Sequence, residues 1–148
     1  MELTQKETML LQDLKSQEQL CIDKYAQYAN DSCDKQLKTL FSTIEKSEST
    51  HLYTENSLLS GTVPMMAGGG GEQSAPEASQ CGDEEKQRDK FLCGDALAME
   101  KHVSSTYDTA IFEFKDAGAR DALNHIQKEE QQHGKRIYDY MAVNGMYA

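Results

Sequence analysis

LNHIQKEEQQHGKRIYDY, residues 123–140, is the stretch from which the fold can be read. Leu123, Ile126, Ile137 and Tyr140 recur in steps of three and four around Glu130 and His133. That is the period of one helix face, not of a strand. A carboxylate and an imidazole therefore fall inside an apolar stripe. Upstream, Leu37, Leu40 and Ile44 lead into Glu48 and His51 with the same step. Two further stripes carry one glutamate each: Leu10, Leu14, Glu18, Cys21, Tyr25, and Leu92, Ala96, Glu100, Val103, Tyr107. No useful length alternates with period two, so the expectation is an all-α chain of four helices.

The helices group into two hairpins, residues 4–59 and 83–143, in an expected single domain over 1–148. Thr4 with Glu7 forms a capping-box pattern for the first helix. Asp34, Asp83 and Asp116 are the expected caps of the other three, and Asn144-Gly145 is the final stop signal. Between the hairpins runs GTVPMMAGGGGEQSAPEASQCG, residues 61–82, with both prolines and six glycines. Neither helix nor strand survives that composition, and as a connector it is long for a compact domain. Met65 and Met66 are expected to pin it to the helices. The two hairpins also superpose in sequence without a gap when 82 is added to each number. Leu10 then meets Leu92, Glu18 meets Glu100, Tyr25 meets Tyr107, Asp34 meets Asp116, Glu48 meets Glu130 and His51 meets His133. Structural constraint and duplication both account for this. Either way one hairpin is written twice.

Composition narrows the function classes. Lys plus Arg number 15 against 25 Asp plus Glu, a formal net charge of -10. Such a chain repels phosphate backbones, which excludes nucleic acid as an expected partner. No run approaches the roughly 18–20 apolar residues of a membrane span, and the charged start MELTQKETMLLQDLK has no signal-peptide core. Membrane and general export are therefore not expected. Cys21, Cys33, Cys81 and Cys93 lie far apart with no Cys-x-x-Cys pair, and the expectation is four reduced thiols rather than a disulfide frame or a zinc knot.

The chemistry lies in Glu18, Glu48, His51, Glu100, Glu130 and His133. Four carboxylates inside apolar seams are costly unless paired, hydrogen-bonded or bound to cations, and like charges close together resist ionisation. No Lys or Arg shares the stripes, whereas two divalent ions would balance four carboxylates. Glu48-x-x-His51 and Glu130-x-x-His133 place both ligands on one helix face. Glu18 and Glu48 are equidistant from a turn near Cys33, as Glu100 and Glu130 are from one near Lys115, so each pair meets at one height. His102 and His125 lack this pattern and are expected at the surface or rim. Tyr25 and Tyr107 could donate to the ligands from two turns away, but packing against the opposite helix is the plainer expectation.

This ligand pattern resembles the ferritin-like superfamily of di-iron and di-manganese carboxylate bundles. The resemblance implies a four-helix bundle with a long crossover between its second and third helices. It implies Glu18 and Glu100 as terminal ligands, Glu48 and Glu130 as bridges, and His51 and His133 capping one ion each. Two divalent metal ions, Fe or Mn, and action on dioxygen or peroxide follow as expectations. Rubrerythrins carry a further glutamate where this chain has Val103, and a Cys-x-x-Cys domain, so the likeness does not extend to their peroxidase activity. More narrowly, DKFLCGDALAMEKHVSSTYDTAIFEFKDAGARDALNHIQKEEQQHGKRIYDYM (residues 89–141) with the later NGMY is similar to the Coat F family of spore coat proteins. Residues 3–29 are similar to related coat proteins. That implies a spore-coat or mother-cell cytoplasmic setting, coat proteins as partners, and the alternative of a structural coat protein without turnover.

Overall fold

The computed structural model describes residues 1–66 and 74–147. Within them lie four helices and no strand: α1 (Gln5–Asp31), α2 (Lys35–Leu59), α3 (Asp83–Ile111) and α4 (Ala117–Val143). The glycine run of the connector, residues 68–71, is outside the described residues.

Local signals start three of the helices as expected. The Thr4 hydroxyl accepts from the Glu7 N–H and the Glu7 carboxylate from the Thr4 N–H, completing the capping box. Asp34 accepts from the Gln36 N–H and Asp116 from the Ala119 N–H. The third start differs: Gly82 occupies the cap position without a side-chain bond, and Asp83 is the first helical residue. There Asp83, Glu84 and Glu85 lie at the positive end of the helix dipole instead.

Burial gives each helix one seam of seven positions in strict four–three alternation. On α1 they are Glu7, Leu11, Leu14, Glu18, Cys21, Tyr25 and Tyr28. On α2 they are Leu37, Phe41, Ile44, Glu48, His51, Glu55 and Leu58. The α3 seam is Asp89, Cys93, Ala96, Glu100, Val103, Tyr107 and Ala110, and the α4 seam Ala119, Leu123, Ile126, Glu130, His133, Ile137 and Tyr140. Adding 82 to every number of the first hairpin's seams yields the second hairpin's seams without exception. This alternation keeps a stripe facing partner helices. Three positions correct the sequence reading: Leu11, Phe41 and Cys93 hold the seam, while Leu10 and Leu40 sit half-buried at its edge and Leu92 is buried beside it. Adjacent apolar pairs leave the stripe edge ambiguous in sequence.

The helices pack α1 on α2, α3 on α4, α1 on α3 and α2 on α4. Contacts across the hairpins come in matched pairs. Asp89 accepts from the Cys33 N–H at 2.9 Å and the Asp34 N–H at 3.1 Å, fixing the turn before α2. Glu7 does the same for the Lys115 N–H in the turn before α4, at 3.3 Å. Each hairpin thus holds the turn of the other through a buried acid. At the start of the connector, Gly61 (φ +88°) accepts from the Met1 ammonium at 2.9 Å. A Cβ at Gly61 would come within 2.9 Å of the Met1 carbonyl, so glycine is required there by both space and backbone. Met66 packs against the core but Met65 is fully exposed, so one methionine and not two pins the connector.

The expectation of four reduced thiols is corrected. Cys33 and Cys81 form a disulfide with Cα atoms 6.5 Å apart, while Cys21 and Cys93 are free and buried. A separation of 48 residues hides this pair in the sequence. The fold brings the end of the connector back to the α1–α2 turn.

Two outcomes follow. Asp89→Ala leaves two backbone donors without their acceptor and should cost about 1–3 kcal/mol in urea unfolding. The exposed Asp108→Ala should change stability by less than about 0.5 kcal/mol. Denatured without reductant, the chain should titrate two thiols rather than four.

Candidate metal centre

Halfway along the seams, all six side chains expected as ligands come together. Two groups form, each with one potential ligand atom per residue and all atoms within 4.8 Å of one another: Glu18, Glu48, His51 and Glu130; and Glu48, Glu100, Glu130 and His133. Glu48 and Glu130 belong to both groups, whereas Glu18 with His51 and Glu100 with His133 belong to one each. All six are at most 3% exposed.

The heptad step makes this convergence. Each Glu-x-x-His turns both side chains inward from one helix, and the neighbouring helix adds one glutamate at the same level. Both imidazoles present Nδ1 to the carboxylates. His51 Nδ1 is 2.8 Å from Glu130 Oε1 and 3.6 Å from both Glu18 Oε1 and Glu48 Oε2. His133 Nδ1 is 2.9 Å from Glu48 Oε1 and 3.5 Å from Glu100 Oε1. These short approaches lack hydrogen-bond direction. Both Nδ1 atoms, both oxygens of Glu48 and Glu130, and one oxygen each of Glu18 and Glu100 are buried without a hydrogen-bond partner. Buried polar atoms are normally satisfied, so a convergent set of orphans demands a ligand chemistry of its own. Carboxylate oxygens with imidazole nitrogens fit a divalent cation of the Fe, Mn or Zn kind.

Outside the ligand atoms lies a second ring of contacts. Tyr25 donates to Glu100 at 2.5 Å and Tyr107 to Glu18 at 2.6 Å, each from α1 to α3 or back. Both tyrosines are therefore donors to the carboxylates, which corrects the expectation of packing alone. His51 Nε2 lies 3.2 Å from Glu129 Oε1, whereas His133 Nε2 lies 2.9 Å from Ser47 Oγ. Such contacts set which imidazole nitrogen faces the centre. His125 is half-buried on the rim, 3.1 Å from Glu129, and His102 is exposed.

Glu55 was missed in the sequence. It is fully buried, shares the Tyr107 hydroxyl with Glu18, and keeps its other oxygen unpaired. The signal existed: one more step of four along the α2 stripe beyond His51 lands on it.

Burial dominates the electrostatics. It pushes Glu48 up to about 7, helped by Glu18, and Glu100 up to about 8, helped by Glu130. Glu55 is pushed up to about 9 by burial and then by Glu18. Burial pulls both histidines down, but the close carboxylates around them outweigh it and hold His51 and His133 well above the usual imidazole value. Burial also raises the Cys21 thiol beside the four glutamates, which keeps it protonated. The ion-free centre thus holds protons that a cation would displace.

Between α2 and α4 a groove of about 380 Å³ runs under Pro64, Met65 and Met66 and reaches Glu129 and His133. Among the described residues, no helix is long and apolar enough to cross a membrane.

The raised carboxylates predict a pH dependence. Glu48, Glu100 and Glu55 bind protons more tightly folded than at their unfolded value of 4.5, and His51 and His133 more tightly than at 6.5. The folded ion-free chain therefore carries extra protons above about pH 4.5, and its stability falls as pH rises toward 9. Melting of chelator-treated protein should shift downward from pH 5 to pH 9. Added Mn(II) should raise the melting temperature more at the alkaline end. A flat chelator-treated profile would contradict the burial of these groups.

Residues 88–148 match the family model of the Coat F domain, which takes in most of α3 and all of α4. No curated protein and no solved structure matches the chain.

Proposed function

We propose, with the Coat F match as premise, that this is a spore coat protein of ferritin-like architecture that binds two divalent metal ions, Fe or Mn. In this reading the whole chain is one such domain, and residues 61–82 are the crossover from the second helix to the third. Glu18 and Glu100 are the terminal carboxylates, Glu48 and Glu130 the bridges, and His51 and His133 cap one ion each. The observation that carries it is the convergence of six buried side chains whose facing atoms have no hydrogen-bond partner. Four buried carboxylates beside protonated imidazoles are an expensive arrangement without a cation, and two divalent ions neutralise it.

Bound there, an Fe or Mn pair would supply Lewis acidity and a redox couple for dioxygen or peroxide. The chain's own residues do the rest. Tyr25 and Tyr107 orient the terminal carboxylates by donating to Glu100 and Glu18. The seam leucines and isoleucines exclude water from the centre. The α2–α4 groove is the approach by which a small oxidant would come near His133.

A second reading, a structural coat component in which metal serves stability alone, is favoured by the near-complete burial of all six ligands. Metal content separates both from a bare bundle. Anaerobically purified protein should hold about two Fe or Mn per chain, lost in Glu48→Ala/Glu130→Ala. If wild type and variant are both metal-free and equally stable after reconstitution, the metal reading fails. Loaded protein that consumes peroxide or oxidises its metal under oxygen supports the redox reading, and loaded protein that does neither supports the structural one.

A further inference from the structure

The two halves of the centre repeat each other in all six converging side chains but not around them, and two of the departures give one half a carboxyl that the other lacks. Adding 82 to Ser47 gives Glu129, and to Glu55 gives Ile137. His51 Nε2 therefore faces a carboxylate at 3.2 Å, while its counterpart His133 Nε2 faces a hydroxyl at 2.9 Å. Glu55, one turn past His51, adds a fully buried carboxyl with one oxygen unpaired, where the other half has the apolar Ile137. His125 holds Glu129 in place from one turn away.

We propose that the two metal positions are unequal, and that the one held by Glu18 and His51 binds its cation more tightly and fills first because Glu129 backs its histidine alone. This rests on the dinuclear reading above. A carboxylate on the outer nitrogen of a ligating histidine raises the basicity of the inner nitrogen, and a hydroxyl does so less. The Glu18/His51 position therefore has the more basic imidazole facing the centre. Glu55 lies outside both four-residue groups and reaches this half only through the Tyr107 hydroxyl that it shares with Glu18. The second cation completes the pair through the shared Glu48 and Glu130, against repulsion from the first.

Two divalent ions close together repel, so stepwise binding by wild type alone would not identify the tighter position. Single-position variants do. Glu100→Gln leaves the Glu18/His51 position whole, and Glu18→Gln leaves the Glu100/His133 position whole. With Co(II) as probe, followed by its absorption and by calorimetry, Glu100→Gln should bind one ion roughly 10–100-fold more tightly than Glu18→Gln. Glu129→Ser added to Glu100→Gln should remove most of that advantage, and Ser47→Glu added to Glu18→Gln should confer it. Equal affinities in the two single variants would overturn the proposal, and so would an unchanged affinity on adding Glu129→Ser. Should either ligand variant lose its helical circular dichroism, the otherwise wild-type chain gives the same test. There Glu129→Ser should weaken the first Co(II) and spare the second, and the reverse pattern would overturn it. If wild type binds no Co(II), the dinuclear reading itself falls, which these outcomes keep separate from equality of the two positions.

Discussion

Four carboxylates at the centre of an apolar bundle set the terms for everything around them. Glu18, Glu48, Glu100 and Glu130 are at most 3% exposed, and no Lys or Arg occupies any of the four seams. Desolvation favours the neutral forms of Glu48 and Glu100, and their neighbours Glu18 and Glu130 add to it. Two imidazoles and two phenols are what the chain sets against this. The imidazoles sit between carboxylates at distances of 2.8 to 3.7 Å, and the phenols donate to the outer pair. A bundle built for stability alone would place leucine at these positions, because replacing buried charge with apolar volume is often neutral or favourable. Their retention at one level of all four helices is best understood as a demand of the centre.

The internal two-fold relation explains how one chain meets that demand from few ingredients. Glu7 and Asp89, Tyr25 and Tyr107, His51 and His133 are partners under the same shift of 82, and each makes its contact in the other hairpin. Helix caps are made within each hairpin, but these contacts are made only between the two. The turn before α2 depends on Asp89 of α3, and the turn before α4 on Glu7 of α1. Docking the hairpins therefore satisfies the turns and assembles the centre in one event. The disulfide between Cys33 and Cys81 adds a covalent tie at one of those turns.

Much of this was legible because helical period and spacing are local properties. The six side chains, the caps at Thr4, Asp34 and Asp116, and the helix boundaries follow from steps of three and four and from turn residues. What escaped depends on which residues meet across space. Glu7 reads only as half of a capping box, and Asp89 gives no signal, until a distant turn is found beside each. Cys33 and Cys81 read as unrelated thiols because the connector that joins them has no periodic signal. Leu10 was preferred to Leu11, and Leu40 to Phe41, because a period of 3.6 tolerates either member of an adjacent pair; only the facing helix decides. Glu55 was overlooked for a different reason. The stripe had already accounted for its glutamate and histidine, and a third polar residue on one seam runs against the expectation that seams are apolar.

The Coat F match and the centre overlap only in part, and the difference matters for what each supports. Residues 88–148 contain Glu100, Glu130 and His133, three of the six converging side chains. Glu18, Glu48 and His51 lie in the first hairpin, outside the match. Neither four-residue group can form without both hairpins, because each takes ligands from α2 and from α4. The match therefore concerns the second hairpin alone, while the metal reading depends on the repeat that brings an unmatched hairpin against the matched one. Where the repeat is broken, at Ser47 against Glu129 and at Glu55 against Ile137, the two halves stop being interchangeable. A centre assembled from copies of one hairpin would have equivalent positions; this chain departs from that equivalence at the carboxylate facing His51 Nε2 and at the buried Glu55 one turn further along α2.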